Sequence, residues 1–102
     1  MTLLAFDTAS TACSAAVLDG ARILAQRFQA MERGQAEALV PMIGDVLTRA
    51  GLAVENLDII AVTTGPGAFT GVRIGLAAAR GLALARAMPC VGVTTFEAVA
   101  FP

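Results

Sequence analysis

Short apolar runs separated by turn residues dominate the first third of the chain. Residues 2–7 and 12–18 are apolar runs typical of strands, and residues 21–29 alternate, with Ile23 and Ala25 on one face. Asp19-Gly20 favours a two-residue hairpin turn, because such turns need residues that adopt positive φ. The pattern predicts three strands, the third of them an edge strand with one wet face.

Residues 34–50 carry the periodicity of an amphipathic helix, which Gly51 is expected to end. Pro41 inside this pattern should kink the helix or mark its true start. Two apolar stripes run along the helix, and one of them must cover the sheet. The first stripe is Ala36, Val40, Ile43, Leu47 and Ala50, and the second is Leu39, Met42 and Val46.

The second half of the chain predicts a strand, a glycine-rich turn, a helix and another strand. The strands are expected at 58–64 and 90–93, and the helix at 70–87 with Thr70 as its N-cap. This helix is apolar nearly all round, so it should be buried on more than one side.

Two smaller signals accompany this helix. Gly71 and Gly75 are four residues apart, a spacing that permits close contact with another helix. Further on, Thr94 and Glu97 form a capping box that predicts one more helix.

Composition limits the classes of protein to which the chain can belong. Its 102 residues suffice for one small domain, and 57% of them are hydrophobic, with a mean hydropathy of +0.75. The longest charge-free stretch, 59–72, is too short to cross a membrane, so no membrane partner is expected. Seven Arg, no Lys and a net charge of −1 disfavour a protein that grips nucleic acid by itself.

The two cysteines, Cys13 and Cys90, are not spaced as a metal or redox motif. Both lie in apolar strand-like runs. Buried free thiols in a reducing, cytoplasmic environment are therefore expected rather than a disulfide.

Three blocks of sequence together resemble the TsaB (YeaZ) family of the ASKHA superfamily. They occur in the family's order and spacing and cover the chain from end to end. The blocks are Leu4-Ala5-Phe6-Asp7-Thr8-Ala9 with Cys13-Ser14-Ala15-Ala16 following, Ala38-Leu39-Val40-Pro41-Met42-Ile43, and Gly65 to Gly75 continued by Gly81-Leu82-Ala83-Leu84.

The resemblance implies an α/β fold, an ASKHA (RNase H-like) lobe with a five-stranded mixed sheet in the order βββαβαβ(α). Family members carry a second lobe, so residues 1–102 are expected to be a truncated N-terminal lobe. The implied function is that of a non-catalytic partner of TsaD in making tRNA threonylcarbamoyladenosine. Expected partners are a TsaD-like protein, a TsaE-like ATPase in the complex and a second copy of the chain, with tRNA contacted only indirectly.

A phosphate or nucleotide site is the first candidate for chemistry. In nucleotide-using ASKHA proteins, the position of Asp7 and Thr8 faces phosphate and metal, and the glycine turn could hold an anion through Gly65, Gly67 and Thr70. The alternative, which is favoured for Asp7 and Thr8, is a structural role in which their side chains form hydrogen bonds with nearby backbone groups. The turn is not a Walker A loop, because no Lys-Ser/Thr pair follows the glycines.

A helical interface is the second candidate. The second stripe of the first helix and one face of the second helix could meet a partner helix, as TsaB proteins pair through helices of this lobe. The alternative is that both faces are buried. The interface residues are Leu39, Met42, Ile43, Val46, Arg73, Ala77 and Arg80.

Catalysis by the chain itself finds little support. It contains no His, so imidazole acid–base chemistry and metal ligation by His are unavailable, and we expect no catalytic residues, metal or cofactor. The alternative function is an ASKHA-type enzyme, either a nucleotide-dependent phosphotransferase or a glycoprotease-like peptidase.

Overall fold

A computed structural model describes residues 1–9, 12–65 and 69–93, and for Phe69 it describes the backbone alone. The predicted elements are present up to residue 93, each within one residue of its expected bounds. Gly67 and the capping box of Thr94 and Glu97 lie outside the described residues. The strands are β1 (Thr2–Asp7), β2 (Ala12–Asp19), β3 (Arg22–Ala30), β4 (Ile59–Thr63) and β5 (Cys90–Val93); the helices are α1 (Gln35–Ala50) and α2 (Phe69–Arg86), with a short 3₁₀ helix at Val54–Asn56.

The strands form the mixed five-stranded sheet that was predicted, in the order β3-β2-β1-β4-β5. β1–β2 and β2–β3 are antiparallel, whereas β1–β4 and β4–β5 are parallel. A parallel pair needs a crossover, which α1 supplies before β4 and α2 supplies before β5. The carboxyl end of β1 therefore lies beside the carboxyl end of β4, where the glycine turn begins.

Both helices pack on the same face of the sheet. Side chains that alternate along β1, β2 and β4 point into one apolar cluster with the inner faces of α1 and α2. The largest of these strand residues are Leu4, Phe6, Val17, Ile60 and Val62. The opposite face, which includes Leu3, Ala5 and Ala61, is partly exposed to solvent in the described structure.

The β2–β3 hairpin differs from the sequence expectation in two ways. Its two-residue loop is Gly20-Ala21 rather than Asp19-Gly20, and Gly20 has a φ of 61°. The register then shifts, because Leu18 pairs with Ile23 while Val17 pairs with Ala25. The extra residue between them is a β-bulge, so the prediction that Ile23 and Ala25 share one face is wrong.

Helix α1 turns its second stripe inward, and the prediction that this stripe faces a partner is wrong. Its residues Leu39, Met42 and Val46 are all buried in the core of the lobe, because they lie over β2 and β3. The expectation that the whole first stripe covers the sheet also fails. Its members Ala36 and Val40 are exposed, whereas Leu47 and the predicted interface residue Ile43 are buried.

Pro41 does not mark the start of α1, which runs through it as one helix. The missing N–H of a proline matters less on a solvent-facing side, and Pro41 is exposed. The helix ends as expected at Gly51, whose φ is 72° and whose N–H donates to the carbonyls of Leu47 and Thr48.

Helix α2 ends at a residue in a left-handed conformation that is not glycine. Ala87 has a φ of 52°, and the next amide, Met88 N–H, donates to the carbonyl of Ala83 at 3.1 Å. This 6→1 hydrogen bond is the mark of a Schellman ending, in which glycine is the usual left-handed residue. The end of α2 thus uses alanine where the backbone favours glycine.

Both cysteines are free thiols, as predicted, but only one is buried. Cys13 lies in the core, whereas Cys90 is exposed, because β5 is an edge strand of the described sheet. The prediction that Cys90 is buried is therefore wrong. None of the helices that the structure describes is long and apolar enough to cross a membrane.

Candidate functional site

The carboxylate of Asp7 lies where β1 ends beside β4. Its Oδ1 accepts a hydrogen bond from the Ala9 N–H at 2.7 Å and one from the Thr63 hydroxyl at 2.5 Å. The first of these hydrogen bonds closes an Asx turn between Asp7 and Ala9. This is the local structural role that was the alternative prediction for Asp7. Asp7 is partly exposed as a residue, and its carboxylate shapes the turn.

Thr8 connects this turn to the first turn of α2. Its Oγ1 donates a hydrogen bond of 2.6 Å to the carbonyl oxygen of Gly71, and the side chain is 1% exposed. A buried hydroxyl engaged in this way is not available to a ligand. The structure therefore favours the structural role of Thr8 over the predicted phosphate contact.

Two of the three glycines of α2, Gly71 and Gly75, permit this close approach. A Cβ on Gly71 would lie 2.0 Å from the carbonyl oxygen of Thr8, and a Cβ on Gly75 would lie 2.8 Å from the Thr8 Oγ1. Neither separation is compatible with a side chain. The glycine pair does permit close contact, as expected, but the contact is with the end of β1 rather than with another helix.

The two other described residues of the predicted anion site, Gly65 and Thr70, differ in their burial. Gly65 is buried with a φ of 105°, as a sharp strand-to-helix turn requires. Thr70 is exposed and lies within the first turn of α2, so it is not the N-cap of a helix that begins at Phe69. Among the described residues, no three His, Cys, Asp or Glu side chains cluster as metal ligands would.

Cys13 lies near this site but is not a reactive thiol. Burial raises its pKa above the ordinary value of 9.0, and the neighbouring Asp7 carboxylate raises it further. A thiol with a raised pKa stays protonated, and the protonated form is a poor nucleophile. The residue thus belongs to the core.

The outward side of α2 carries the part of the predicted interface that is exposed. Arg73, Ala77 and Arg80 all face away from the sheet. Leu84 continues the same stripe, and its side chain is 84% exposed. Leu84 was not among the predicted interface residues, although it lies four residues, one helical step, beyond Arg80 on the same stripe.

A row of small, uncharged residues lies on the outward side of α1. Ala36, Val40 and Gly44 follow one another at four-residue spacing, and all three are exposed. Val40 is 69% exposed, which is unusual for a valine in the middle of a helix. These residues and the α2 stripe form what we call the outer helical face: Ala36, Val40, Gly44, Arg73, Ala77, Arg80 and Leu84.

Charged side chains fix α1 against the edge of the sheet. Asp45 lies between two arginines, with its Oδ2 3.1 Å from Arg49 Nε and 3.5 Å from Arg27 Nη1 on β3. Such partly exposed pairs are individually weak, but this one joins a helix to a strand. The pair with Arg27 therefore links α1, which carries part of the outer helical face, to β3.

Comparison with known proteins assigns the chain to a family. The family profile described as "TsaD: tRNA N6-adenosine threonylcarbamoyltransferase" matches residues 22–102. The tRNA threonylcarbamoyladenosine biosynthesis protein TsaB of Escherichia coli K12 is 40% identical over 98% of the chain and 43% of its own length. The tRNA N6-adenosine threonylcarbamoyltransferase of Novosphingobium aromaticivorans is 34% identical over 93% of the chain and 33% of its own length.

Solved structures agree with this assignment. YeaZ from Pseudomonas aeruginosa superposes with a TM-score of 0.87 at 45% identity, over 91% of the chain and 43% of YeaZ. The ROK hexokinase of Thermus thermophilus superposes with a TM-score of 0.60 at 26% identity, over 90% of the chain and 34% of that enzyme. The fold is thus the predicted ASKHA lobe, and the chain spans less than half the length of these relatives. It belongs to the TsaD family of proteins and, within that family, to the TsaB (YeaZ) group.

Proposed function

We propose that the chain is a non-catalytic partner of a TsaD-type protein in tRNA threonylcarbamoyladenosine modification. Membership of the TsaB group supports the pathway, since the relative from Escherichia coli is named for the biosynthesis of this nucleoside. Binding takes place through the outer helical face. In this proposal, a TsaE-like ATPase joins the complex, and tRNA is contacted only indirectly.

The exposure of Val40 and Leu84 is the observation that carries the proposal. Large apolar side chains that are 69% and 84% exposed on helices are poorly placed for an isolated lobe. The same stripes contain the small residues Ala36, Gly44 and Ala77, which allow a partner helix to approach closely. The same face could pair with a second copy of the chain when TsaD is absent.

The charge of this face indicates what its partner carries. Along its 18 residues, α2 contains three arginines and no acidic residue. Arg80 lies in the outward stripe, so a surface with a carboxylate at the matching position is its natural complement. Part of the binding is then electrostatic and weakens as salt is added.

A non-catalytic role agrees with the residues that the chain offers. It has neither His nor Lys, the side chains that most often act as a base or activated amine near neutral pH. Its buried thiol is protonated rather than activated. The chemistry of the complex is therefore assigned to the TsaD-type partner.

A nucleotide-dependent enzyme is the second candidate, and the fold likeness to a hexokinase favours it. Asp7, partly exposed at the end of β1, would be the residue that faces the nucleotide. Titration with ATP, monitored by calorimetry, separates the two candidates. Micromolar binding that Asp7→Ala abolishes would replace the partner proposal with this one.

The direct test is light scattering after size-exclusion chromatography, first of the chain alone and then with the TsaD protein encoded in the same genome. A mixed complex is expected, and it should weaken in high salt. Val40→Glu and Leu84→Glu each place a carboxylate on the outer helical face, so both should abolish it.

Phe28→Glu is the matched control. Phe28 is 70% exposed, like Val40, but it lies on β3 at the opposite edge of the sheet from β5. The complex should survive this change. Loss of binding in Phe28→Glu, or persistence of binding in both helix variants, would show that the partner uses another surface.

A further inference from the structure

The position of α2 on the sheet depends on contacts among Thr8, Gly71 and Gly75. Thr8 donates its hydroxyl to the Gly71 carbonyl at 2.6 Å, and a Cβ on Gly71 or Gly75 would lie 2.0 Å or 2.8 Å from an oxygen of Thr8. All three residues are buried. The helix is thus held at one distance from β1 by a hydrogen bond and cannot come closer.

The inner and outer stripes of α2 lie on opposite sides of one helix. Gly71, Gly75 and Ala79 recur at four-residue spacing and are buried. The exposed stripe, from Arg73 to Leu84, is offset from them by about half a turn of the 3.6-residue helix. Because a packed helix moves as a rigid rod, any displacement of its inner stripe is transmitted to the outer one.

From this arrangement we infer that Thr8 is a positioning residue for the partner-binding face, an inference that rests on the proposed function. The Thr8 hydroxyl sets how far α2 stands from the end of β1, and therefore where Arg80 and Leu84 stand relative to α1. Thr8 makes this contribution from the core, since it is 1% exposed.

Replacing the hydroxyl by a methyl group shows what the contact does. A carbon cannot approach a carbonyl oxygen to 2.6 Å, and its usual closest separation is about 3.3 Å. Thr8→Val therefore removes the hydrogen bond and pushes the first turn of α2 outward by about 0.7 Å. Thr8→Ser keeps the hydroxyl and should leave the helix where it is.

The experiment compares the wild type, Thr8→Ser and Thr8→Val at a temperature at which each is fully folded. Two quantities are measured: the dissociation constant for the TsaD protein and the backbone amide chemical shifts of α2 in an isotope-labelled chain. Thr8→Val should raise the dissociation constant by about tenfold and shift the amides along α2 as far as Leu84. Thr8→Ser should match the wild type in both measurements.

Each result decides the inference. If Thr8→Val binds as the wild type does, or leaves the α2 shifts unchanged, Thr8 is merely a core residue and the inference is overturned. If Thr8→Val does not fold, Thr8→Ala removes the hydroxyl without pressing a methyl on the carbonyl and is measured instead. If even the wild type does not bind TsaD, the proposed function fails, while the chemical shifts still show whether Thr8 sets the place of α2.

Discussion

Leu39 and Val40 are neighbours in the sequence and lie on opposite sides of α1. Leu39 is 1% exposed and packs in the core, whereas Val40 is 69% exposed. Leu39→Glu should therefore lower the free energy of unfolding by about 4 kcal/mol or more, since it buries an unpaired charge. Val40→Glu should change it by no more than about 0.5 kcal/mol.

Urea denaturation followed by circular dichroism measures both values. Met42→Glu is a second core variant that should behave like Leu39→Glu, because Met42 is buried in the same cluster. A folded Leu39→Glu variant with nearly normal stability would contradict the assignment of this stripe to the core.

The two glycines at Gly71 and Gly81 in α2 should respond to alanine in opposite ways. Gly71→Ala forces a Cβ against the carbonyl oxygen of Thr8, so we expect a loss of about 3 kcal/mol. A Cβ at Gly81 meets no atom within 4 Å, and alanine is the better helix former, so Gly81→Ala should gain up to about 1 kcal/mol. Thermal denaturation of the two variants tests the pair, and equal effects would refute the close packing at Gly71.

The end of α2 offers a stabilising substitution. Because Ala87 adopts a φ of 52°, which costs a residue with a Cβ about 1 kcal/mol, Ala87→Gly should raise stability by roughly 0.5 kcal/mol after the extra entropy of glycine is deducted. Ala85→Gly, two residues earlier inside the helix, should instead lower it by about 0.5–1 kcal/mol. Calorimetric melting temperatures should therefore move in opposite directions.

The two thiols should differ in their reaction with a water-soluble disulfide reagent under native conditions. Cys90 is exposed and should react at once, whereas Cys13 is buried and should react only when the fold opens. Cys90→Ser should abolish the fast phase and leave the slow one. A fast phase that persists in Cys90→Ser would place Cys13 at the surface.

The raised pKa of Cys13 predicts a loss of stability in alkali. Above the ordinary thiol pKa of 9.0, the unfolded chain releases the Cys13 proton while the folded chain retains it, so the unfolded state gains stability as pH rises. The slope of this contribution is at most about 1.4 kcal/mol per pH unit, and it ends where the folded thiol ionises. Denaturation curves of wild type and Cys13→Ala between pH 8 and about 10.5 isolate this contribution. The wild type should lose more unfolding free energy than Cys13→Ala as the pH rises.

Elements whose sequence pattern repeats locally were predictable. The order of strands and helices follows from apolar runs, turn glycines and helical periodicity, and every predicted element up to Val93 lies within one residue of expectation. The short 3₁₀ helix at Val54–Asn56 was not predicted. The left-handed end of α1 was also readable, since glycine at position 51 has one common use after a helix.

Orientation was harder to predict, because it depends on tertiary packing. Both apolar stripes of α1 look equally suited to cover the sheet, and Pro41 and Val40 gave no local sign of lying outside. The bulge at Leu24 likewise changes which side chains of β3 point inward, and no residue type announces it. The role of Thr8 required knowledge that β1 ends against α2, a contact between residues far apart in sequence.

The parallel pairing of β1 with β4 also dictates an order of assembly during synthesis. β1 can pair with β2 as soon as the first hairpin leaves the ribosome, whereas its other edge has no partner until Ile59–Thr63 have been made. Closing this long loop costs more chain entropy than closing the β1–β2 hairpin does. Until then β1 in the nascent chain has one unpaired edge, and the site beside Thr8 against which α2 packs is incomplete.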